Sequence, residues 1–249
     1  MKKLILIITG LLIASGIYAQ TLQVAVAANL QSVIKILQAD FKKQSGIEIQ
    51  PIVGSSGNLV TQIKNGAPFD VFLSADIAFP ESLFKAGFSM DEPVVYAWVN
   101  LIICSDKNID LKHWQTLLLK GKVKQIAIAN PTIAPYGKAA EDALIKTGIM
   151  NTVKPKIVYG ESIAQVNTYI TTGVTTVGFT SQSLIKDAGN ITKLYWAPID
   201  QNLYTAIQQG MVITKHGKEN NFEQAQKFYK YILSSSAKAI FTEYGYHVQ

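Results

Sequence analysis

Short apolar runs alternate along this chain with stretches whose apolar positions recur three and four residues apart. Leu22-Gln23-Val24-Ala25-Val26 reads as a strand. Leu30, Val33, Ile34, Leu37 and Phe41 follow at helical spacing, with Asn29 as an N-cap candidate and Ser45-Gly46 as the stop. The alternation then repeats. Ile47 to Val53 is a second strand, Leu59 and Ile63 mark a helix stopped by Asn65-Gly66-Ala67-Pro68, and Phe69 to Leu73 is a third strand closed by Ser74-Ala75-Asp76. A βαβαβ order predicts a parallel sheet with right-handed crossovers.

A second α/β unit follows. Val94 to Ile103 is a long extended run broken only by Asn100, long enough to pass between two bodies. Lys124 to Ala129 predicts a strand, Ala139, Ala140, Ala143 and Leu144 a helix stopped at Thr147-Gly148, Lys156 to Tyr159 a strand, Ser162 to Ile170 a helix and Thr175 to Phe179 a strand. Leu194 to Ile199 is a candidate return crossing. Ala206 to Thr214 predicts a strand, and Glu223 to Leu233 a helix with Phe228, Tyr231 and Ile232 inward. The expected architecture is therefore two α/β lobes, each a mostly parallel sheet flanked by helices. The first comprises residues 20–98 and 200–249, the second 99–199, with the ligand cleft between them at the ends of the parallel strands.

The ends and the composition narrow the class. Met1-Lys2-Lys3, an apolar run from Leu4 to Ala14 and the small-residue stretch Ser15 to Ala19 form a signal-peptide pattern over residues 1–19, with cleavage after Ala19 and export to the periplasm. The apolar run is short for a membrane span. Net charge is +6, two units of it from Lys2 and Lys3, and every basic residue is lysine. Without arginine the chain lacks the planar fork that phosphate and guanine readers use, and its lysines are scattered, which argues against nucleic-acid binding. Cys104 is the single cysteine and lies in an apolar run, so it reads as a small buried hydrophobe.

Candidate chemistry gathers where strands open into helices: Ala28-Asn29, Ser55-Ser56-Gly57, Ser74-Ala75-Asp76, Ala134-Pro135-Tyr136-Gly137, Ile163 to Val166 and Gly178 to Ser183. These turns are nearly neutral and rich in N–H, hydroxyl and amide donors. A helix N-terminus offers open N–H groups and the positive end of a dipole, which suits an anion. A fully ionised oxyanion brings no proton, so an all-donor cage fits it, whereas protonated phosphate asks for an acceptor. Taken singly, each turn is an ordinary cap or bend; their joint occurrence carries the reading. Asp70 and Asp76 read as a cap and a turn, with the Asp76 carboxylate pointing away from the cage. His113, His216 and His247 fall in distant segments without metal spacing. The sequence contains no nucleophile elbow or Walker loop, so neither an enzyme nor a resident cofactor or metal is expected.

Ala27-Ala28-Asn29-Leu30, Gly54-Ser55-Ser56-Gly57, the block Gly66 to Asp76, Ala134-Pro135-Tyr136-Gly137-Lys138-Ala139-Ala140 and the ending Ala239 to Tyr246 occur in this order. In these motifs the chain resembles the periplasmic molybdate-binding proteins of bacterial ABC importers, over essentially the whole mature length. The resemblance implies a type II periplasmic binding fold, a monomer, molybdate or tungstate held as an intact oxyanion by neutral hydrogen bonds, and delivery to an inner-membrane ABC permease. It implies that Asn29 and Ser56 bind through side chain and backbone N–H. Ala75 is then at the cleft, and Tyr136 and Val166 give backbone N–H groups from the second lobe. Ala28 and Ser55 are secondary candidates. Many members carry a tyrosine hydroxyl after the late glycine-containing strand; here Phe179-Thr180-Ser181 stands there, leaving Thr180 and Ser181 as candidate replacements. A receptor for another oxyanion such as sulfate, or a ligand-sensing module, is the alternative.

Overall fold

The computed structural model describes residues 21–89, 91–188 and 192–249; the leader expected at residues 1–19, with cleavage after Ala19, lies outside them. The described strands form two five-stranded sheets. In chain order they are β1 (Leu22–Ala27), β2 (Ile49–Gly54), β3 (Val71–Leu73), β4 (Val94–Val99), β5 (Leu101–Ser105), β6 (Ile126–Ala129), β7 (Ile157–Gly160), β8 (Val177–Ser181), β9 (Tyr195–Pro198) and β10 (Ile207–Ile213). The first sheet has the order β2-β1-β3-β10-β4 and the second β7-β6-β8-β5-β9.

Each sheet has the same logic. Three parallel strands (β1, β2 and β3; β6, β7 and β8) are joined through helices, and one strand arriving from the other lobe is inserted antiparallel beside them. The apolar run Val94–Ile103 is thus two strands in two sheets, and the polar break at Asn100 is the crossing point. Leu194–Ile199, expected to be the return crossing, is instead occupied by β9, which pairs with β5 in the second sheet. The chain returns only beyond it: the Ile199 N–H still donates to the Leu101 carbonyl at 3.0 Å, and the short turn Gln201–Leu203 follows.

The helices cover the sheets as the apolar spacing requires. Helix Val33–Ser45 buries Val33, Ile34, Leu37 and Phe41, each worth about 1.5–3 kcal/mol on removal from water. The Phe41 ring meets Phe228 edge-on at 5.1 Å, fastening the late helix Phe222–Ile232 to the early one. At the helix after β6, Pro135–Lys146, glycine is required: a Cβ on Gly137 would come within 2.1 Å of the Ala129 carbonyl at the end of that strand. The tail closes on the crossing point, where Trp98 and His247 exchange main-chain hydrogen bonds of 2.7 and 2.8 Å.

Among the described residues, no helix is long and apolar enough to cross a membrane. Cys104 is fully buried on β5, and burial pushes its thiol up to about 12, so it stays protonated and packs as a hydrophobe.

Candidate functional site

All six parallel strands point their C-terminal ends at the space between the sheets, so six strand-to-helix turns face one another there. A small cavity lies at the closest approach. Its first-lobe wall is Ala27, Ala28, Asn29, Ser55, Ser56 and Ala75; its second-lobe wall is Ala134, Pro135, Tyr136 and Ile163. A cleft of about 670 Å³ opens beside it, sharing Ala28 and Asn29 and bounded across the gap by the helix Ile163–Thr171. The lobes touch around the cavity. The Gly57 N–H donates to the Ile133 carbonyl at 2.9 Å, the Ser183 hydroxyl to the Asn29 carbonyl at 3.1 Å, and the Asn58 amide to Glu161 at 2.7 Å.

Among the described residues, the cavity wall carries no ionisable side chain except the phenol of Tyr136. Burial, reinforced by Tyr246 and Tyr96 nearby, holds that phenol well above its ordinary pKa, against the opposing influence of the Ser181 and Asn29 side chains. It is therefore a neutral hydroxyl. Asp76 turns away as expected: its carboxylate accepts the Phe79 N–H at 3.0 Å, and burial raises its pKa. Asp70, fully buried, accepts from the Gln23 N–H, the Asn221 amide and the His216 ring, which makes it a clamp between elements. Among the described residues, no group of three His, Cys, Asp or Glu side chains could hold a metal ion.

Three buried side-chain atoms on this wall have no hydrogen-bond partner: Asn29 Oδ1, Ser55 Oγ and the Tyr136 hydroxyl. Buried polar atoms are nearly always paired, so these orphans on one small cavity mark a place for a visitor, to which the Ser55 and Tyr136 hydroxyls can donate and the Asn29 oxygen can only accept. Ser55 is informative because it is the N-cap of helix Ser56–Lys64 and yet makes no capping bond. A serine present only to cap would have spent its hydroxyl there. The helix Pro135–Lys146 likewise starts without a side-chain cap, leaving the Tyr136 N–H open in its first turn.

The other expected residues fall into place unequally. Ser56 Oγ accepts the Ala75 N–H at 3.0 Å, so its own proton is free to point into the cavity; Ala75 acts by orienting Ser56. The side-chain nitrogen of Asn29, expected as a ligand donor, is committed to Gln209 Oε1 at 2.8 Å and to the Tyr246 hydroxyl at 3.1 Å. That leaves its main-chain N–H, at the start of the turn Ala28–Leu30, as the donor this residue offers. Ala28 lines the wall with backbone alone. Val166 is fully buried behind the wall, with its N–H on the Ser162 carbonyl at 3.2 Å; Ile163, one turn earlier, is the residue of that helix end on the cavity. Thr180 donates to Asn167 and Ser181 pairs with Ser183, both off the cavity wall. Phe179 packs edge-on against Trp114 in the second core. The phenol on the wall is Tyr136, from the other end of the lobe.

A family model for bacterial extracellular solute-binding proteins matches residues 22–247. The chain belongs to that family. Within the wider set of similar proteins, the molybdate-binding protein ModA of Azotobacter vinelandii is 35% identical over 250 residues, covering 100% of this chain and 98% of its own. The molybdate-binding protein ModA of Rhodobacter capsulatus is 35% identical over 227 residues, with 89% and 86% covered. The solved structure of the Azotobacter vinelandii periplasmic molybdate-binding protein superposes with a TM-score of 0.85 at 32% identity, over 92% of this chain and 99% of that one. The two-lobed α/β fold expected from the apolar pattern is the fold of a solute-binding protein.

Proposed function

We propose that this chain is a periplasmic receptor that captures molybdate or tungstate and hands it to an inner-membrane ABC permease. The observation that carries the reading is the pair of orphaned hydroxyls, Ser55 and Tyr136, on a neutral, two-lobed cavity. The ligand is held there by the main-chain N–H groups of Asn29 and Tyr136, the hydroxyls of Ser55, Ser56 and Tyr136, and the helix end at Ile163 to Val166. Ala75 fixes Ser56, and Ala28 shapes the wall. Neutral hydroxyl and main-chain N–H donors with no lysine beside them suit a fully ionised oxyanion, and the curated relatives named for molybdate binding support that choice of anion.

Closure supplies the affinity, because each lobe provides only half of the wall and neither half alone desolvates the anion. Selection over sulfate comes from cavity size: a smaller tetrahedron leaves some donors stretched or unpaired. The protein is a monomer that performs no reaction and needs no cofactor. Its leader is removed after Ala19.

Calorimetry of the mature protein against molybdate, tungstate, sulfate and phosphate is the test. Molybdate and tungstate bind tightly; sub-micromolar sulfate binding with no molybdate heat would sink the assignment. Within the site, Ser56→Ala weakens molybdate binding by about 1–3 kcal/mol, the cost of an unmet hydrogen bond to a charge. An unchanged affinity removes Ser56 from the cage.

A further inference from the structure

We propose that Gln209 is the positioning residue of this cavity, orienting Asn29 and Ala75, and Ser56 through Ala75, without touching the ligand. The proposal rests on the oxyanion reading above. Gln209 lies on β10, is fully buried, and is absent from the cavity wall. Both ends of its amide are spent on residues of that wall: Nε2 donates to the Ala75 carbonyl at 2.8 Å and Oε1 accepts from Asn29 Nδ2 at 2.8 Å.

The direction of these bonds is forced. A main-chain carbonyl can only accept, so the Gln209 nitrogen must face Ala75 and its oxygen must face Asn29. Asn29 in turn must present its nitrogen to Gln209. The Tyr246 hydroxyl completes the lock, accepting from Asn29 Nδ2 at 3.1 Å and donating to the Asn29 carbonyl at 2.9 Å. Ala75, held by its carbonyl, gives its N–H to Ser56 Oγ, so the Ser56 proton is left for the cavity. One glutamine thereby fixes the Asn29 side chain in one turn and, through Ala75, the Ser56 donor in another.

The backbone is shaped for this. The register between β10 and β4 shifts at Gln209/Gly210, with Tyr96 of β4 as the extra residue, and its hydroxyl donates to the Ser74 carbonyl of the same turn at 3.1 Å. Gly210 grips the same turn through its main chain, donating to the Asp76 carbonyl at 3.1 Å and accepting from the Ser74 N–H at 2.8 Å. A Cβ on Gly210 would lie 2.9 Å from the Asp76 carbonyl oxygen, so glycine is what lets the strand come this close.

The test compares wild type with Gln209→Glu and Gln209→Met by calorimetry with sodium molybdate. The titratable groups around the relay are the phenols of Tyr96, Tyr136 and Tyr246 and the Asp76 carboxyl, so the wild-type profile is the baseline. In Gln209→Glu the carboxylate faces the Ala75 carbonyl; binding falls about 100-fold at about pH 8.5 and recovers about tenfold at about pH 6 as the buried carboxyl takes a proton and donates again. Gln209→Met binds about tenfold more weakly at every pH, with no added pH dependence. Either variant binding within about threefold of wild type at about pH 8.5, or a Gln209→Glu profile parallel to wild type, overturns the proposal. A second readout needs no ligand and stands even if wild type ignores molybdate. The Asn29 side-chain amide protons exchange slowly in wild type and about tenfold faster in Gln209→Met. Fast exchange in wild type also overturns the relay.

Discussion

Gly57 offers a direct test of whether closure makes the site. It sits in the first turn of helix Ser56–Lys64 in the first lobe, and the nearest neighbours a Cβ would meet all belong to Ile133 of the second lobe: Cα at 2.8 Å, Cβ at 2.9 Å and Cγ2 at 3.1 Å. Gly57→Ala therefore leaves the first lobe undisturbed and obstructs only its approach to the second. Overpacking of this kind costs about 1–3 kcal/mol. Stretching the Gly57 N–H bond to the Ile133 carbonyl, 2.9 Å in the closed form, adds about 1 kcal/mol. Together they penalise closure by about 2–4 kcal/mol, a loss of roughly 30- to 900-fold in molybdate affinity. The unliganded protein escapes the clash by opening, and alanine in a helix gains up to about 1 kcal/mol over glycine, so its melting temperature is unchanged or slightly raised. Calorimetry for affinity and a thermal melt without ligand read the two quantities separately. Affinity within about threefold of wild type refutes the reasoning, and so does a melting temperature several degrees lower, which would place the contact inside a body unable to open.

Ser55→Ala separates capping from binding. Its hydroxyl caps nothing, so the denaturation free energy of the unliganded protein changes by less than about 0.5 kcal/mol, whereas molybdate affinity drops by about 1–2 kcal/mol. A stability loss typical of a broken cap would reassign Ser55 to the helix. Molybdate affinity is flat between about pH 6 and pH 9, because the one titratable group on the wall, Tyr136, has its pKa raised far above that window; a fall in affinity with rising pH over that span would mean that a charged partner holds the anion. Asp76 works in the opposite sense to most carboxylates. Its folded pKa is raised, so the folded state holds the proton more tightly and stability falls as pH rises through the shifted value. Asp76→Asn keeps an acceptor for the Phe79 N–H and removes that loss, so the variant gains on wild type as pH rises above the ordinary carboxylate range in urea denaturation; a variant that loses stability at neutral pH contradicts the shift.

The apolar spacing of this chain was sufficient to give the two α/β units, because each strand and helix must bury one face and that requirement is written locally, in periods of two and of three to four residues. The break at Asn100 in an otherwise apolar run marked the passage between lobes for the same reason. The small, polar turns after β1, β2 and β6 were legible as strand-to-helix turns with open N–H groups, since an open helix N-terminus is a local property. What each residue in those turns does was not. The Asn29 side chain is claimed by Gln209 and Tyr246, which lie 180 and 217 residues away along the chain, and no local pattern announces such partners. Val166 has its N–H taken within its own helix, and Ser55 emerges as a donor because the cap it resembles goes unused. The absence of a charged group from the turns could be read from the sequence. Which hydroxyl protons and N–H groups remain free in the cavity depends on hydrogen bonds made across sheets and lobes, and only the tertiary structure decides those, because each donor has one proton to give and the fold determines which acceptor is near enough to take it.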